Sequence, residues 1–265
     1  MKQNEFENKV VLVTGGASGM GKRAAELFAQ EGAAVAIADI DIEKANVLSR
    51  ELQAQSKRTV NAYPLDVTDH GGVKETVKRI YSDFGQIDVA INAAGIGAAL
   101  PQDLTPEDIW RRIISVNLDG AYYCALEEGT VMRKAGAGKI VNFAAISGIV
   151  VNRLPEEEVS ESNLLVLPAY CASKAGVIQM TKVLAAYWAQ DGIRVNCISP
   201  GFVRTPMTDE IFSTATVYSN IINDTPLHRV AEPEDLDGLL LYLASDTSDF
   251  MTGAELRFDG GYTLW

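Results

Sequence analysis

Two residue types that often build reactive centres are scarce in this sequence. Only two histidines, His70 and His228, occur among its 265 residues, and three cysteines, Cys124, Cys171 and Cys197, lie far apart with no Cys-x-x-Cys pair. Two distant imidazoles argue against a metal centre or a histidine-based catalyst. Isolated cysteines are typical of small buried hydrophobic residues rather than of a disulfide framework. We therefore expect no metal site and a chemistry that depends on other side chains.

Positive charge and long apolar runs are also in short supply. There are 23 lysines and arginines against 35 acidic residues, which gives a net charge of −12 at pH 7. Because no basic stripe offsets this charge, nucleic acids and anionic membranes are disfavoured as partners. The first nine residues lack the apolar core of a signal peptide, and no apolar run reaches the roughly eighteen residues of a membrane helix. We expect a cytoplasmic protein.

A glycine-rich turn near the N-terminus organises the rest of the sequence. Apolar residues 10–13 predict a buried strand and a helix follows from Lys22, with Gly15, Gly19 and Gly21 between them. Glycine backbone can lie close to a pyrophosphate there, and the helix directs its free N–H groups and positive dipole end at the phosphates. The alternative for the turn alone is an ordinary tight connection, so further features must agree.

A carboxylate follows the second strand at the spacing typical of dinucleotide-binding proteins. Asp39 ends the apolar run 33–38 and follows Gly15 by 24 positions. This is near the roughly 20 residues at which an acid meets the adenosine ribose. Such a carboxylate accepts hydrogen bonds from free ribose hydroxyls and repels a 2′-phosphate, and residues 39–41 offer no arginine or lysine to reverse that preference. The cofactor is therefore predicted to be NAD rather than NADP.

Strand and helix patterns alternate along the whole chain, which predicts one α/β domain. Further strands are expected over residues 59–65, 87–91, 139–145, 193–199 and 254–258, and helices over 42–55, 69–84, 105–134, 169–190 and 233–244. The segment 149–168, with its acidic cluster at 156–158, has no clean period and is predicted to be a loop. Residues 202–229 are expected to be loop-rich with one weak helix.

Tyr170 and Lys174 carry the chemistry that the sequence predicts. Four residues apart on a helix, a phenol and an ammonium lie on one face, one turn apart. A free tyrosine has a pKa of about 10, and a nearby cation favours the phenolate and lowers that pKa. Such a phenol can pass a proton to or from a substrate oxygen while a nicotinamide carries the hydride. A plain surface pair is the alternative, and the nucleotide turn upstream favours catalysis.

Two polar residues leave alternatives open. Asp66, which follows the third strand, is placed either to meet the adenine amino group or to cap a helix before Thr68. Asn117 lies inside a predicted helix among apolar neighbours, where asparagine is a mediocre helix former. Its side chain either interrupts the helix ladder and holds a water or occupies an exposed polar position.

In their order and approximate spacing, these motifs resemble the short-chain dehydrogenase/reductase family. The resemblance covers residues 8–262 and rests on residues 14–21, Asn92-Ala-Ala-Gly95, Asn117, Tyr170-Cys-Ala-Ser-Lys174, Pro200-Gly201 and Thr205. It implies a single Rossmann-like domain with a seven-stranded parallel sheet and helices on both faces, assembled as a homotetramer. It also implies that Tyr170 is the acid/base, that Lys174 binds the nicotinamide ribose while lowering the tyrosine pKa, and that Asn117 holds a water in the proton relay.

The cofactor site predicted from the turn, the strand ends and the resemblance is extensive. Val203 and Thr205 resemble the family's contacts to the nicotinamide carboxamide. The full set of predicted cofactor-binding residues is Gly15, Ser18, Gly19, Met20, Gly21, Asp39, Ile40, Asp66, Val67, Asn92, Ala93, Ala94, Gly95, Tyr170, Lys174, Pro200, Gly201, Val203 and Thr205.

The sequence departs from the family in two places after the fifth strand. The family's Ser-x-x-Gly serine, counted back from Gly148, falls on Ala145, and the nearest hydroxyl is Ser147. Ser147 can orient the substrate only if the chain turns back beyond the strand end, and we predict that it does. Ser147 and Tyr170 are 23 positions apart, more than is usual in the family. The extra acidic segment, an insertion over 149–168, is expected beside the substrate mouth.

These observations predict an NAD-dependent oxidoreductase that interconverts a secondary alcohol and a ketone. The substrate would be a sugar, a polyol or another small hydroxylated molecule, and a reductase acting mainly on the ketone fits the sequence equally well. An alternative from another class is an NAD-binding regulatory protein with little turnover, because Ala145 replaces the family serine. The presence of Asn117, Tyr170 and Lys174, proposed as catalytic together with Ser147, favours the enzyme.

Overall fold

The computed structural model describes residues 5–97, 103–151 and 161–265, the side chains of 161–164 excepted. Within these ranges seven strands form one parallel sheet in the order β3-β2-β1-β4-β5-β6-β7. They are β1 (Val10–Thr14), β2 (Ala34–Asp39), β3 (Val60–Pro64), β4 (Val89–Asn92), β5 (Gly138–Phe143), β6 (Ile193–Pro200) and β7 (Glu255–Phe258). The strand order reverses between β1 and β4, and ligands bind outside the carboxyl ends of strands at such a switch point.

Helices cover both faces of the sheet. Those of the described residues are α1 (Gly19–Gln30), α2 (Ile42–Ser56), α3 (His70–Phe84), α4 (Pro106–Ile114), α5 (Gly120–Ala135), α6 (Glu161–Trp188), α7 (Asp209–Ser213), α8 (Ala215–Asp224) and α9 (Asp237–Ala244). One apolar core joins the sheet to α1, α2 and α9, and a second joins it to α3, α5 and α6. This arrangement confirms the predicted single Rossmann-like domain. Among the described residues, each helix is too short or too polar to cross a membrane.

The strands are apolar on both sides because both sides are covered. Every residue of β1 is buried, and five of the six residues of β2 are buried as well. A strand that packs helices on its two faces cannot alternate between apolar and polar positions. Short continuous apolar runs in the sequence therefore predicted these central strands correctly.

The segment predicted to be a loop over 149–168 is helical in its second half. Helix α6 begins at Glu161 and continues through Pro168, so the prediction of a helix start at residue 169 is wrong. Val166 and Ala169 of α6 pack with Ile109 and Ile113 of α4 in a small apolar cluster. This packing outweighs the cost of a proline inside a helix, which the sequence pattern alone cannot reveal. The acidic cluster at 156–158 lies outside the described residues.

Residues 202–229 also contain more helix than expected. Two helices, α7 and α8, replace the single weak helix predicted there. They share a satellite apolar cluster that includes Ile211, Val217, Ile221 and Val230. Because this cluster lies apart from the two main cores, the two helices form a separate wall beside the carboxyl ends of the strands.

Candidate active site

Two cavities lie at the carboxyl ends of the strands. The larger, the cofactor cleft, has a volume of about 350 Å³ and is lined by the glycine-rich turn. The smaller, the substrate pocket, has a volume of about 130 Å³ and is lined by Tyr170 and Ser147. Met207 lines both cavities, so they adjoin at this side chain. A ligand in the cleft and a ligand in the pocket can therefore meet.

Two positions of the glycine-rich turn, Gly15 and Gly21, leave no room for a side chain. Gly15 has a φ of +65°, and a Cβ at this position would lie 2.6 Å from the Cα of Ala94. A Cβ on Gly21 would lie 2.2 Å from the carbonyl oxygen of Gly15. The N-cap residue of α1, Ser18, lines the cleft and its side chain makes no capping hydrogen bond. The positive end of α1 thus faces the cleft, which fits the pyrophosphate of a dinucleotide.

Asp39 is held beside the glycine-rich turn by backbone donors. The N–H of Ala17 donates to Oδ2 and the N–H of Asp41 donates to Oδ1, each with a heavy-atom distance of 2.9 Å. The residue is 8% exposed and lines the cleft beside Ile40. A carboxylate has lone pairs for about four hydrogen bonds, so each oxygen can still accept one from a ligand hydroxyl. This is the chemistry that an adenosine ribose requires.

Asp66 lines the cleft and shapes the turn that follows β3. Its Oδ1 accepts hydrogen bonds from the N–H of Thr68 at 2.9 Å and from the Thr68 hydroxyl at 2.7 Å. Helix α3 starts later, at His70, with Asp69 as its N-cap residue. The carboxylate of Asp66 therefore stabilises a turn rather than a helix end, and its place in the cleft is compatible with an adenine contact.

The cofactor cleft brings together most of the predicted cofactor-binding residues. Those that line it are Gly15, Ser18, Gly19, Met20, Gly21, Asp39, Ile40, Asp66, Val67, Ala93, Ala94, Gly95 and Thr205. Tyr170, Pro200 and Gly201 line the substrate pocket instead. Val203 is 3% exposed and forms a β-bridge with Ala231. Lining residues that the sequence did not predict are Leu65, Ile96, Arg112, Val116, Pro206 and Met207.

The side chain of Asn92 turns away from the cleft into a buried polar network. Its Nδ2 donates to Glu128 Oε2 at 2.9 Å and to Asn142 Oδ1 at 3.0 Å, while its Oδ1 accepts from the Thr14 hydroxyl at 3.2 Å. Asn142 Nδ2 in turn donates to the hydroxyl of Thr181 at 3.0 Å. Asn92 therefore joins β1, β4, β5, α5 and α6, which the sequence did not indicate.

Asn117 sits in a π-helical turn that joins α4 to α5. The turn spans Ser115–Asp119, and Asn117 is 1% exposed, so the exposed alternative is wrong. Its Oδ1 accepts from the N–H of Ile96 at 2.8 Å and its Nδ2 donates to the Ile96 carbonyl at 3.0 Å. The Nδ2 also lies 3.4 Å from the hydroxyl of Ser173, which donates to the carbonyl of Tyr170. Asn117 thus ties the loop after β4 to the helix of Tyr170.

Lys174 lies beside the Tyr170 ring but does not lower the pKa of the phenol. Its Nζ donates to the carbonyl of Phe143 at 3.0 Å and lies 5.8 Å from the centre of the tyrosine ring. Burial lowers the pKa of Lys174 to about 8. Burial, with a smaller contribution from the Cys171 thiolate, raises the pKa of Tyr170 to about 12. The predicted lowering is therefore corrected: burial of the phenol is the main cause of its raised pKa, and the neighbouring Lys174 does not reverse that direction.

The chain after β5 turns as the use of Ser147 requires. Strand β5 ends at Phe143, and residues Ile146–Gly148 form a 3-10 turn. Ser147 is 7% exposed and lines the substrate pocket with Ala145 and Tyr170. A Cβ on Gly148 would lie 2.7 Å from the backbone N of Ala175, so only glycine lets this turn rest on α6. The close approach brings Ser147 to the pocket of Tyr170.

Comparison with known proteins agrees with this geometry. The family model described as enoyl-(acyl carrier protein) reductase matches residues 15–263. The chain is 38% identical to the 3-oxoacyl-(acyl-carrier-protein) reductase FabG of Thermotoga maritima, over 98% of this chain and 99% of the relative. It is 34% identical to the cyclohexanol dehydrogenase of Acinetobacter sp., over 98% and 97%. A solved gluconate 5-dehydrogenase from Burkholderia cenocepacia, in complex with NADP and tartrate, superposes with a TM-score of 0.88 at 29% identity, covering 99% of this chain and 98% of that one.

The parallel sheet, the glycine-lined cleft and the adjoining tyrosine pocket define a nucleotide-binding oxidoreductase of the α/β class. With the matches above, the chain belongs to the short-chain dehydrogenase/reductase family, whose members bind a nicotinamide cofactor.

Proposed function

We propose that the protein is an NAD-dependent oxidoreductase that interconverts a secondary alcohol and a ketone. The observation that carries the proposal is the junction at Met207, where the pocket of Tyr170 and Ser147 meets the glycine-lined cleft. The relatives support the reaction class, because their names describe reduction of an oxo group or oxidation of a hydroxyl group. The bound dinucleotide would supply or accept the hydride.

Different residues of the cleft would bind different parts of the cofactor. The glycine-rich turn and the start of α1 would hold the pyrophosphate, Asp39 the adenosine ribose and Asp66 the adenine amino group. Lys174 is proposed to bind the nicotinamide ribose, and Val203 and Thr205 the carboxamide. Thr205 supports this placement, since a Cβ on Gly19 would lie 3.5 Å from its side chain. In this proposal the carboxamide end would lie on the side of the turn where Thr205 lines the cleft.

Tyr170 would move the proton at the substrate oxygen. Because the pKa of its phenol is about 12, the hydroxyl holds its proton at neutral pH and can donate it to a ketone oxygen as alkoxide charge develops. In the direction of alcohol oxidation the same oxygen can accept the proton of the alcohol only as a phenolate, so the phenol must first release its own proton to solvent. Ser147, in the same pocket, would orient the substrate oxygen with a second hydrogen bond. Lys174 stays mostly protonated at pH 7 and provides positive charge beneath the ring.

Asn117 would fix the position of the cofactor cleft relative to the helix that carries Tyr170. Both polar atoms of its amide bind the backbone of Ile96, which lines the cleft, and the amide also approaches Ser173 in the helix of Tyr170. A Cβ on Gly95 would lie 3.3 Å from Asn117 Oδ1 and 3.6 Å from Lys174 Nζ, so these groups converge on one backbone segment. We retain the prediction that Asn117 also holds a water of the proton relay.

The protein is expected to reduce NAD when mixed with a suitable secondary alcohol, because both cavities required for the reaction adjoin. The test follows the absorbance of reduced nicotinamide while a panel of cyclic, acyclic and polyhydroxylated secondary alcohols is supplied. A regulatory protein would instead bind NAD saturably and produce no reduced cofactor from any of them. The position of Ser147 in the tyrosine pocket favours the enzyme, since it compensates for Ala145.

The Asp39→Ala variant is expected to accept NADP at least about tenfold better relative to NAD. The carboxylate repels a 2′-phosphate across the cleft, and a tenfold change corresponds to about 1.4 kcal/mol. Asp41→Ala is the matched control, because this neighbouring carboxylate caps α2 and does not line the cleft. Dissociation constants of both cofactors and kcat/KM should change together. An unaltered NADP to NAD ratio in Asp39→Ala would refute the proposed role of Asp39.

We also propose a homotetramer, as the family resemblance implies. Helices α5 and α6 carry large apolar side chains that are exposed in one chain, among them Tyr122 at 41% and Val183 at 45%. Burial of such residues between copies stabilises an oligomer. Light scattering that gives the mass of a single chain would overturn this proposal.

A further inference from the structure

The substrate pocket offers polar side chains for one oxygen atom and apolar walls for the rest of a ligand. Among the described residues, no charged side chain lines it. The large side chains of its wall are Ile146, Val166, Leu167, Phe202, Met207 and Ile211. Val166 and Leu167 come from the first turns of α6, in the segment where the sequence predicted a loop. That segment therefore contributes apolar surface to the pocket.

Three hydroxyl groups lie in the pocket lining, those of Ser147, Tyr170 and Thr208. The Thr208 hydroxyl donates to the carbonyl of Val203 at 2.7 Å and accepts from the N–H of Thr205 at 3.0 Å. It holds its own loop together and has little capacity left for a ligand. The remaining side-chain hydroxyls of the described lining are those of Ser147 and Tyr170. In the proposed function these two converge on the single reacting oxygen.

Further hydroxyl groups on a substrate would face a lining whose described side chains are mostly apolar. A hydroxyl that leaves water without finding a partner costs about 1–3 kcal/mol, which corresponds to roughly tenfold in affinity or more. A polyol bound in this pocket would incur that cost several times. A hydrocarbon ring would instead gain from leaving water. The lining thus discriminates against the sugars and polyols that the sequence alone left open.

The size of the pocket favours a compact ligand. Its volume of about 130 Å³ is close to the roughly 150 Å³ of an apolar cavity that accommodates benzene. Met207 borders the pocket on the side of the cleft, where a Cβ on Gly97 would lie only 2.9 Å from its Cγ. The reacting carbon of a six-membered ring could thus lie at the junction while the rest of the ring fills the pocket.

We infer that the substrate is a compact, uncharged and largely apolar secondary alcohol, or the corresponding ketone, of about the size of a six-membered carbon ring. The inference rests on the proposed function, because it assigns the reacting oxygen to Tyr170 and Ser147. Ile211 is a specificity-determining residue in this assignment. It lies on α7 and presents its apolar side chain to the pocket.

A graded series of substrates tests the assignment. Cyclohexanol, trans-1,2-cyclohexanediol and myo-inositol share one carbon ring and carry one, two and six hydroxyl groups. We expect kcat/KM to fall about tenfold or more with the second hydroxyl, and at least about 100-fold from cyclohexanol to inositol. Ligand-observed NMR of the same compounds on the cofactor-loaded protein provides a measure of binding that does not depend on turnover.

A matched pair of variants tests the pocket wall. Ile211→Gln introduces an amide into the lining and should raise the ratio of inositol to cyclohexanol kcat/KM by about tenfold. Ile222→Gln is the control, because Ile222 is partly buried in the same apolar cluster and does not line the pocket. We expect this variant to keep the ratio of the unmodified protein.

The possible outcomes separate the inference from the proposed function. Preferred binding of cyclohexanol without turnover of any alcohol would support the apolar pocket and overturn the proposed enzyme. Turnover of inositol or an open-chain polyol as efficiently as cyclohexanol would overturn the inference and leave the enzyme standing. Absence of cyclohexanol binding to the cofactor-loaded protein would also overturn the inference.

Discussion

The kcat of the Tyr170→Phe variant is expected to be about 10²- to 10⁴-fold lower than that of the unmodified protein, while the variant still binds the cofactor. Phenylalanine keeps the ring that packs beside Lys174 Nζ and removes only the hydroxyl in the substrate pocket. A positioned acid or base contributes this range of rate acceleration, and no other proton-donating side chain except Ser147 and the committed Thr208 lines the described pocket. Steady-state kinetics and cofactor titration on the same preparation measure the two effects separately.

Two companion variants make this result specific. Tyr187→Phe carries the same change on the same helix at a position that is 79% exposed, and it should keep the kcat of the unmodified protein. Ser147→Ala should lose less than Tyr170→Phe, about ten- to 100-fold, because it removes an orienting hydrogen bond and leaves the proton donor in place. A Tyr170→Phe protein that retained a tenth or more of kcat would contradict the assignment of the proton to this phenol.

The predicted site residues that the structure brings together in one cleft are mainly those with local signals in the sequence. Gly21 is required by a close approach to the carbonyl oxygen of Gly15, six positions earlier, and Gly15 has a positive φ, so the glycine pattern of the turn is visible in a short stretch of sequence. Asp39 follows β2 directly, and its two backbone donors come from residues 17 and 41. The sheet, too, follows from apolar runs that any parallel arrangement must bury. Such features need little knowledge of distant contacts.

The features that were missed depend on contacts between distant parts of the chain. Arg112 and Val116 reach the cleft because Asn117 ties α4 and α5 to Ile96, 21 positions earlier. In the sequence these two residues are indistinguishable from ordinary helix positions. The pKa of Tyr170 depends on how deeply the folded chain desolvates it, and the spacing to Lys174 says only that the two side chains share a helix face.

The buried network around Asn92 has the same origin and a thermodynamic consequence. Glu128 on α5 is fully buried, and its Oε2 accepts the hydrogen bond from Asn92. Its Oε1 has no hydrogen-bond partner among the described residues. Burial raises the pKa of Glu128 to about 7, although the hydrogen bond from Asn92 acts in the opposite direction. The sequence shows only a glutamate beside another glutamate in a helix, which is ordinarily a solvated position.

The free energy of unfolding of the unmodified protein is expected to fall as pH rises, because Glu128 ionises. The Glu128→Gln variant is expected not to show this fall. An unfolded glutamate ionises near pH 4.5, whereas folded Glu128 keeps its proton until about pH 7. Over this range the folded state binds more protons than the unfolded state, so the free energy of unfolding falls with rising pH. At 1.36 kcal/mol for each pKa unit, the total loss is about 3 kcal/mol. Glutamine resembles the protonated acid in shape and stays neutral, so the variant should not show this loss.

Denaturant unfolding at pH 5, 6, 7 and 8 measures this difference. The stability of Glu128→Gln relative to the unmodified protein should rise by about 2.5 kcal/mol between pH 5 and pH 8, with most of the change complete by pH 7. Glu51→Gln, which changes an exposed glutamate of α2, should follow the unmodified protein at every pH. If the curves of Glu128→Gln and the unmodified protein run parallel, the carboxyl is not the buried acid that the network with Asn92 requires. A difference in the free energy of unfolding that follows the expected pH range would instead show that Glu128 becomes protonated when the protein folds.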